Sequence, residues 1–309
     1  MRVLLRKRRS SGERGARPST GSGRAIALLS TSSRRLFTVT GRVLVIALWF
    51  ATAACAPRLM KLPSGPGTPA PDFAAALTEA TRTCTGISSL TAELGVSGSV
   101  GGQRVRARLA GGFAPPSVRL EAAAPFGAPL FIFVANASDA TLLLPRDGRV
   151  VEHGQPAELL AAVAGVSLGP SDLAHTLTGC AHPDTPDRPM AVGDNWRTSA
   201  GAGGAKIYLH RDGPAAPWRI ASVSYPGEGT QGGWRADYDQ FRDGLPRVIR
   251  LVSADGRRFN LELALSQLET NVELKPEVFR VDIPPDAQRI TTEELRRSGP
   301  LGATKTDAR

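Results

Sequence analysis

The chain has few of the side chains on which metal sites and many enzymes depend. Its 309 residues include four histidines and three cysteines. Neither type occurs at a spacing typical of metal ligands, and His153, His175, His182 and His210 form no recognisable catalytic triad. We therefore expect no bound metal, no cofactor and no enzymatic activity.

One short motif would indicate a hydrolase in another setting. The segment Gly165-Val166-Ser167-Leu168-Gly169 fits G-x-S-x-G, the nucleophile elbow of α/β-hydrolases. That elbow needs a strand before it and a helix directly after it, on a parallel sheet. Here a predicted helix precedes the motif and the neighbouring strands are predicted to be antiparallel. We therefore interpret the segment as a connection between two helices.

The chain also lacks an apolar run of about 20 residues, the length that spans a bilayer as a helix. The run that does occur, Val43–Ala54, has 12 residues, follows a basic flank and ends directly before Cys55. A basic flank, a short apolar region and small residues before a cysteine are typical of a bacterial lipoprotein signal peptide. The pattern predicts cleavage before Cys55, whose acyl chains would then anchor the mature protein to a membrane.

The flank before the apolar run is 42 residues, longer than in most signal peptides. Two explanations stay open. The true start codon could lie downstream of Met1, or the flank could be a basic arm of an inner-membrane anchor.

The basic charge of the chain is concentrated in this N-terminal segment. The formal net charge is +10, and residues 1–54 hold 11 of the 38 basic and one of the 28 acidic side chains. The remainder therefore has 27 of each and no net charge. Without a basic surface to neutralise phosphates, we expect no nucleic-acid partner for the mature protein.

Composition and periodicity divide the chain into four parts. Residues 1–54 are the predicted signal peptide, and 55–71 are a Pro/Gly-rich tether. Residues 72–288 are long enough for one domain with a sizeable core. Residues 289–309 are predicted to be a polar, frayed C-terminal tail with one brief helix candidate at residues 293–297.

The domain is predicted to be mainly β, with a few helices. Apolar residues alternate with polar or small ones in many short segments joined by turns, which indicates an antiparallel sheet. The clearest pair is Arg247–Ser253 and Arg258–Leu268, joined through Asp255-Gly256, a strong hairpin signal. The other predicted strands are residues 94–96, 105–109, 118–124, 130–135, 140–144, 150–153, 195–199, 206–210, 218–225 and 233–238.

Three helices are predicted around these strands. The first begins after Asp72, a good N-cap, and ends near Cys84. The second, Pro156–Ala164, has proline in its first turn, and the third, Ser171–Thr178, is followed by Gly179.

Two cysteines remain after lipidation of Cys55. Cys84 and Cys180 would face an oxidising compartment in a secreted lipoprotein, where disulfides persist. A disulfide between them and a pair of buried free thiols are both compatible with the sequence.

Three segments resemble the LolB family of outer-membrane lipoproteins, which receive other lipoproteins from a periplasmic carrier. Residues 119–127 are similar to a strand followed by the family's Pro-Leu-Gly loop. Residues 157–179 are similar to its helix pair. Residues 237–239, 245–251 and 258–261 are similar to its closing strands.

The resemblance implies an incomplete antiparallel β-barrel with helices covering an apolar cavity. Acylated lipoproteins would be the cargo, a LolA-like carrier would be a further partner, and the protein would act as a monomer. Phe126 occupies the position of an exposed apolar loop residue that contacts the membrane, although a core aromatic would fit the sequence as well. Ala56, rather than Asp, follows the lipidated cysteine, which agrees with sorting to the outer membrane.

Residues on the apolar strand faces are candidates for contacting the acyl chains, although a dry core would use the same residue types. These candidates are Leu120, Leu130, Ile132, Leu142, Ile249, Leu251, Leu261 and Leu263. Two other functions stay open: binding of a different lipid or glycolipid, and a structural lipoprotein that makes protein contacts without a ligand.

Overall fold

The fold is described from a computed structural model. The chain divides into two units, Met1–Ala56 and Pro57–Arg309. The structure describes residues 59–122, 128–181, 187–201, 204–227 and 232–298, all of them in the second unit. Cys55, Phe126 and His182 lie outside the described residues.

A single sheet of 15 strands dominates the described residues. Its order is β1-β8-β9-β10-β11-β12-β13-β14-β2-β3-β4-β5-β6-β7-β15, and all neighbours are antiparallel except β7 and β15. The sheet is open, because its edges are the different strands β1 and β15. The strands are β1 (Thr68–Pro69), β2 (Leu90–Val100), β3 (Gln103–Ala114), β4 (Ser117–Ala122), β5 (Phe131–Ala135), β6 (Ala140–Leu144), β7 (Arg149–Gly154), β8 (Asp187–Val192), β9 (Trp196–Ala200), β10 (Lys206–His210), β11 (Arg219–Tyr225), β12 (Trp234–Asp239), β13 (Val248–Ser253), β14 (Phe259–Thr270) and β15 (Gln288–Arg289).

The sheet has one largely apolar face, here called the inner face, and a more polar outer face. In β14 the side chains of Phe259, Leu261, Leu263 and Leu265 are buried, and those between them are more exposed. The register continues this face across the sheet, since Leu263 is opposite Val96 of β2. For β14 the period-two pattern of the sequence therefore predicts the strand and its apolar face, as observed.

Helices pack on the inner face. Helix α1 (Phe73–Thr81) contacts β9, β10 and β11, α2 (Pro156–Ala164) contacts β6, and α3 (Pro170–Thr178) contacts β4. Proline in the first turn and a left-handed glycine at the end delimit both α2 and α3. The sequence predicts the proline of α2 and the glycine of α3. Two short 3₁₀ turns lie at residues 84–86 and 276–279.

Two helix starts differ from the sequence prediction in detail. Asp72 precedes α1, but its side chain caps no backbone N–H and instead accepts hydrogen bonds from Arg197 of β9 at 2.9–3.1 Å. The guanidinium lowers the pKa of this carboxyl, mainly through these hydrogen bonds. Helix α3 begins at Pro170, with Gly169 rather than Ser171 at the N-cap.

Cys84 and Cys180 form a disulfide, which resolves the alternatives left by the sequence. Both cysteines are buried beside Leu245. The bond ties the chain just after α1 to the residue that follows Gly179, the C-cap of α3.

The tether and the tail are both shorter than predicted. Strand β1, inside the expected tether, pairs with β8. In the expected tail, β15 pairs with β7, and α4 (Thr292–Arg297) packs on α2. Leu295 of α4 is fully buried, and a capping box between Thr291 and Glu294 closes the helix start.

None of the helices in the described ranges combines the length and apolar character of a membrane span.

Candidate functional site

The inner face brings together most of the predicted acyl-contacting residues. Six of the eight are buried in one large apolar cluster, and Leu130 is partly buried against it. The six are Leu120, Leu142, Ile249, Leu251, Leu261 and Leu263. Their neighbours in this cluster include side chains of α1, α2 and α3, so the helices cover them.

Ile132 is a correction to the predicted set. Its side chain lies on the outer face, because it stands between the inward-facing Phe131 and Phe133 on β5. There it packs in a separate apolar cluster with Leu143, Val150 and the C-terminal segment around Ala287. This cluster covers part of the outer face and buries Ile132 there, so Ile132 does not contact the inner face.

A cavity lies between α3 and the inner face, here called the α3 cavity. Its volume is about 280 Å³, near the lower limit of small-molecule sites. Leu90 and Phe113, from paired positions of β2 and β3, form its apolar floor. Its other lining residues are Thr85, Ile87, Ser89, Pro115, Ala174, His175, Thr178 and the disulfide Cys84–Cys180.

None of the eight predicted acyl-contacting residues lines the α3 cavity. Leu90 and Phe113 lie outside the strands predicted from the sequence and are therefore not among the predicted residues. The alternation of β2 and β3 does extend to these two residues, so a longer reading of both strands could have found them.

Two hydroxyl groups are buried without a hydrogen-bond partner in the described part of the chain. They belong to Thr176 of α3 and Tyr238 of β12. A side chain at Gly179, the C-cap of α3, would touch the ring of Tyr238, so this end of the helix lies on β12. Burial raises the pKa of the Tyr238 phenol far above its ordinary value, with smaller contributions from Tyr225 and Asp237.

Ser167 lies between two helices and not in a strand-to-helix elbow, as the sequence predicts. It follows the left-handed Gly165 that ends α2 and precedes α3. A cavity of about 410 Å³ lies beside it, with Arg258 and Phe259 in the lining. No histidine is among the residues that line this cavity.

The histidines of the described residues are dispersed. His153 of β7 is within 3.4 Å of Asp139, and His210 of β10 is within 3.7 Å of Asp212. His175 lines the α3 cavity. Within the described ranges, no three side chains of the metal-binding types form a cluster.

No family model matches the sequence, and no curated protein matches it. The solved structures to which the chain is similar include a LolA superfamily protein from Nitrosomonas europaea, 13% identical, covering 67% of this chain and 97% of the other, with a TM-score of 0.47. A DUF1329 family protein from Desulfovibrio piger is 12% identical over 67% and 96%, with a TM-score of 0.44. The lipoprotein LppX of Mycobacterium tuberculosis is 12% identical over 66% and 99%, with a TM-score of 0.27. At these identities and TM-scores the likeness does not establish a family.

Proposed function

We propose that the chain is a lipoprotein of the outer membrane, anchored through Cys55 and facing the periplasm. It would accept the acyl chains of other lipoproteins from a LolA-like carrier and help to insert them into the membrane. The proposal includes no enzymatic step. It rests on the lipoprotein signal of the sequence, the resemblance to the LolB family and the open sheet with a helix-covered apolar face.

The α3 cavity is the observation that carries the proposal. Leu90 and Phe113 of the inner face are among its lining residues, but each is only 1% exposed, so an apolar guest would contact them fully only once α3 moves away. Its 280 Å³ is small for a long acyl chain, so binding would require α3 to move away from the inner face. Gly165 and Gly169, in the connection between α2 and α3, allow the backbone to change direction there.

A cavity-filling variant tests the acyl site. In a soluble form that begins at Pro57, the start of the second compact unit, we expect uptake of a fluorescent fatty acid. Ala174→Trp should abolish uptake, because Ala174 is buried and lines the cavity. Asp172→Trp adds the same bulk on the exposed side of α3 and should leave uptake unchanged. Equal uptake by both variants, with circular dichroism showing both folded, would contradict the site.

The identity of the ligand needs a separate measurement. Native mass spectrometry of the protein purified from membranes would give the mass of any retained ligand. An acylated protein supports the proposed cargo, whereas a glycolipid mass would replace it.

A second function is favoured by the packing of the inner face. Six of the predicted acyl-contacting residues are already buried by the protein's own side chains, as in a structural lipoprotein that binds no ligand. Absence of fatty-acid uptake by the folded soluble form would favour this function.

Phe126 carries the proposed insertion step. Phe126→Glu should retain the fold and fatty-acid uptake but reduce delivery of lipoproteins to the membrane. Loss of folding in this variant would place Phe126 in the core instead.

A further inference from the structure

The first described residues of the chain are attached to the outer face of the sheet. The backbone N–H of Met60 donates to Asp237 Oδ2 at 2.9 Å, and the Met60 carbonyl accepts from Arg235 Nη2 at 2.6 Å. Both polar backbone groups of Met60 are therefore held by one pair of neighbouring side chains on β12. The two residues are 175 or more positions away from Met60 in sequence, so no local pattern predicts this contact.

Arg235 and Asp237 form a closely paired ion pair. Arg235 Nε lies 2.6 Å from Asp237 Oδ1, and Nη2 lies 2.9 Å from Oδ2. The Asp237 side chain is fully buried, and Arg235 is 22% exposed. Ser222 of β11 accepts a further hydrogen bond from Arg235 Nε at 3.2 Å.

Burial distinguishes this pair from the neighbouring ion pair on the outer face. Arg250 and Glu262 of β13 and β14 lie 3.1 Å apart, with side chains 17% and 30% exposed. A fully buried carboxylate is costly unless every lone pair finds a donor. For Asp237 the backbone of Met60 supplies one of those donors, so the pair and the segment at Met60 stabilise each other.

A groove of about 630 Å³ lies beside this attachment. Leu59 forms one wall of the groove. Its side chain is 40% exposed, whereas the other large apolar side chains of the described residues are more buried. On the outer face the lining includes Lys206 and Tyr208, residue types that are found at membrane interfaces. Tyr225 and Trp234 also line it, stacked with ring centroids 4.7 Å apart, but they pack against the inner-face cluster. Asp255 adds an acidic group at the β13–β14 turn.

The length of chain before Leu59 limits how far this groove can lie from the lipid anchor. Cys55 precedes Leu59 by four positions, and four extended residues reach about 14 Å at most. An acyl chain on Cys55 therefore places the bilayer surface within that reach of Leu59. Strand β4 runs towards the end of the sheet that holds the β13–β14 turn, but its last residue, Ala122, is level with Leu265, six positions along β14 from Phe259 at that turn.

We propose that Arg235 and Asp237 form an anchor clasp that fixes the start of the mature chain and holds the groove beside Leu59 against phospholipid headgroups. The inference rests on the lipid anchor at Cys55 that forms part of the proposed function. It does not depend on acyl binding at the inner face. The clasp orients the domain, so that the groove beside Leu59 faces the membrane surface that holds the anchor.

Site-specific fluorescence on the full-length lipoprotein tests the clasp. The protein is reconstituted in vesicles of phosphatidylethanolamine and phosphatidylglycerol that contain a headgroup-labelled quencher lipid. An environment-sensitive dye is attached at Ala254→Cys, beside the groove, or at Ala137→Cys, an exposed position in the β5–β6 turn at the opposite end of the strands. We expect quenching at position 254 and not at position 137.

Variants separate the clasp from the anchor. Arg235→Met with Asp237→Leu removes both charges together, which avoids a lone buried charge, and should abolish the difference in quenching between the two positions. Arg250→Met with Glu262→Leu is the matched control on the same face and should retain it. Met60→Pro removes the N–H donor without altering the sheet and should also abolish the difference in quenching. It takes the place of the clasp variant if that variant does not fold.

The outcomes distinguish the two proposals. Failure of the unmodified protein to float with the vesicles would contradict the lipid anchor itself. Flotation with equal quenching at both positions would overturn the membrane-facing groove. Quenching at position 254 that survives in both the clasp variant and Met60→Pro would overturn the role of Arg235 and Asp237.

Discussion

Replacement of Tyr238 by phenylalanine gives a quantitative test of the packing under α3. The side chain is 1% exposed, and its hydroxyl has no hydrogen-bond partner among the described residues. Burying an unpaired hydroxyl costs about 1–3 kcal/mol, because the group leaves water and gains nothing in return. Tyr238→Phe keeps the ring and removes this cost, so we expect the free energy of unfolding to rise by about 1–3 kcal/mol.

Tyr238→Phe should also change how the free energy of unfolding depends on pH. Burial raises the pKa of the Tyr238 phenol in the folded protein, while in the unfolded chain it ionises near pH 10. The folded state therefore retains its full stability below about pH 10 and loses about 1.4 kcal/mol per pH unit above it, since only the unfolded state releases the proton. Tyr238→Phe should lack this alkaline loss.

Urea unfolding followed by circular dichroism, at about pH 8 and about pH 11, measures both effects. Tyr208→Phe is the matched control, because Tyr208 is half-buried and lines the groove beside Leu59. A Tyr238→Phe protein that is less stable than the unmodified protein near neutral pH, or equally sensitive to alkali, would refute the reasoning.

Two further predictions concern single features of the fold. The disulfide between Cys84 and Cys180 joins residues 96 positions apart, so replacing both by alanine should lower the free energy of unfolding by up to about 4–5 kcal/mol in urea titrations; an unchanged midpoint would contradict its stabilising role. Hydrogen bonds from the Ser253 hydroxyl and two backbone N–H groups lower the pKa of Asp255 to about 2. Its contribution to stability should therefore be present above pH 3.8 and be lost as pH falls through about 2. A carboxyl titration by NMR should show this value, shifted upwards in Ser253→Ala, and an ordinary value in the unmodified protein would be inconsistent with the turn geometry.

Long strands with one apolar face could be predicted from the sequence because their burial is periodic. Strands β13 and β14 begin within one residue of their predicted positions, and Gly256 in the turn between them has a φ of +64°. Here local signals agree with the sheet: alternation fixes the buried side, and Asp-Gly fixes the turn. Helix α2 could be predicted from the proline in its first turn, and α3 from the glycine that ends it.

Elements whose burial comes from distant parts of the chain could not be predicted. Strand β8 has no apolar alternation and exists through pairing with β1 and β9. The polar sequence of α4 indicates a brief helix but not the burial of its leucine, Leu295. Both faces of β5 are apolar, so periodicity does not tell which of them looks inward. The C-terminal segment around Ala287 covers Ile132 on the outer face. Periodicity predicts which side chains of a strand share a face, but not which segment of the chain covers that face.

The energetics of α3 decide which ligands the inner face could accept. Moving α3 away exposes Leu173 and Leu177, now buried against the inner face, at a cost of about 3–6 kcal/mol for two leucine side chains. An entering acyl chain contributes about 0.8 kcal/mol per buried methylene, so about four to eight methylenes offset this cost. The acyl chains of lipoproteins exceed that length, whereas short fatty acids do not.

Uptake at the α3 cavity should therefore depend steeply on chain length. In competition with a fluorescent probe, fatty acids longer than about ten carbons should displace it from the soluble form, and those of about six carbons should not. Ala174→Trp, which fills the cavity, serves as the non-binding control. Equal displacement by short and long chains would mean that the ligand occupies the existing 280 Å³ without moving α3, and a site of that kind could not hold the acyl chain of a lipoprotein.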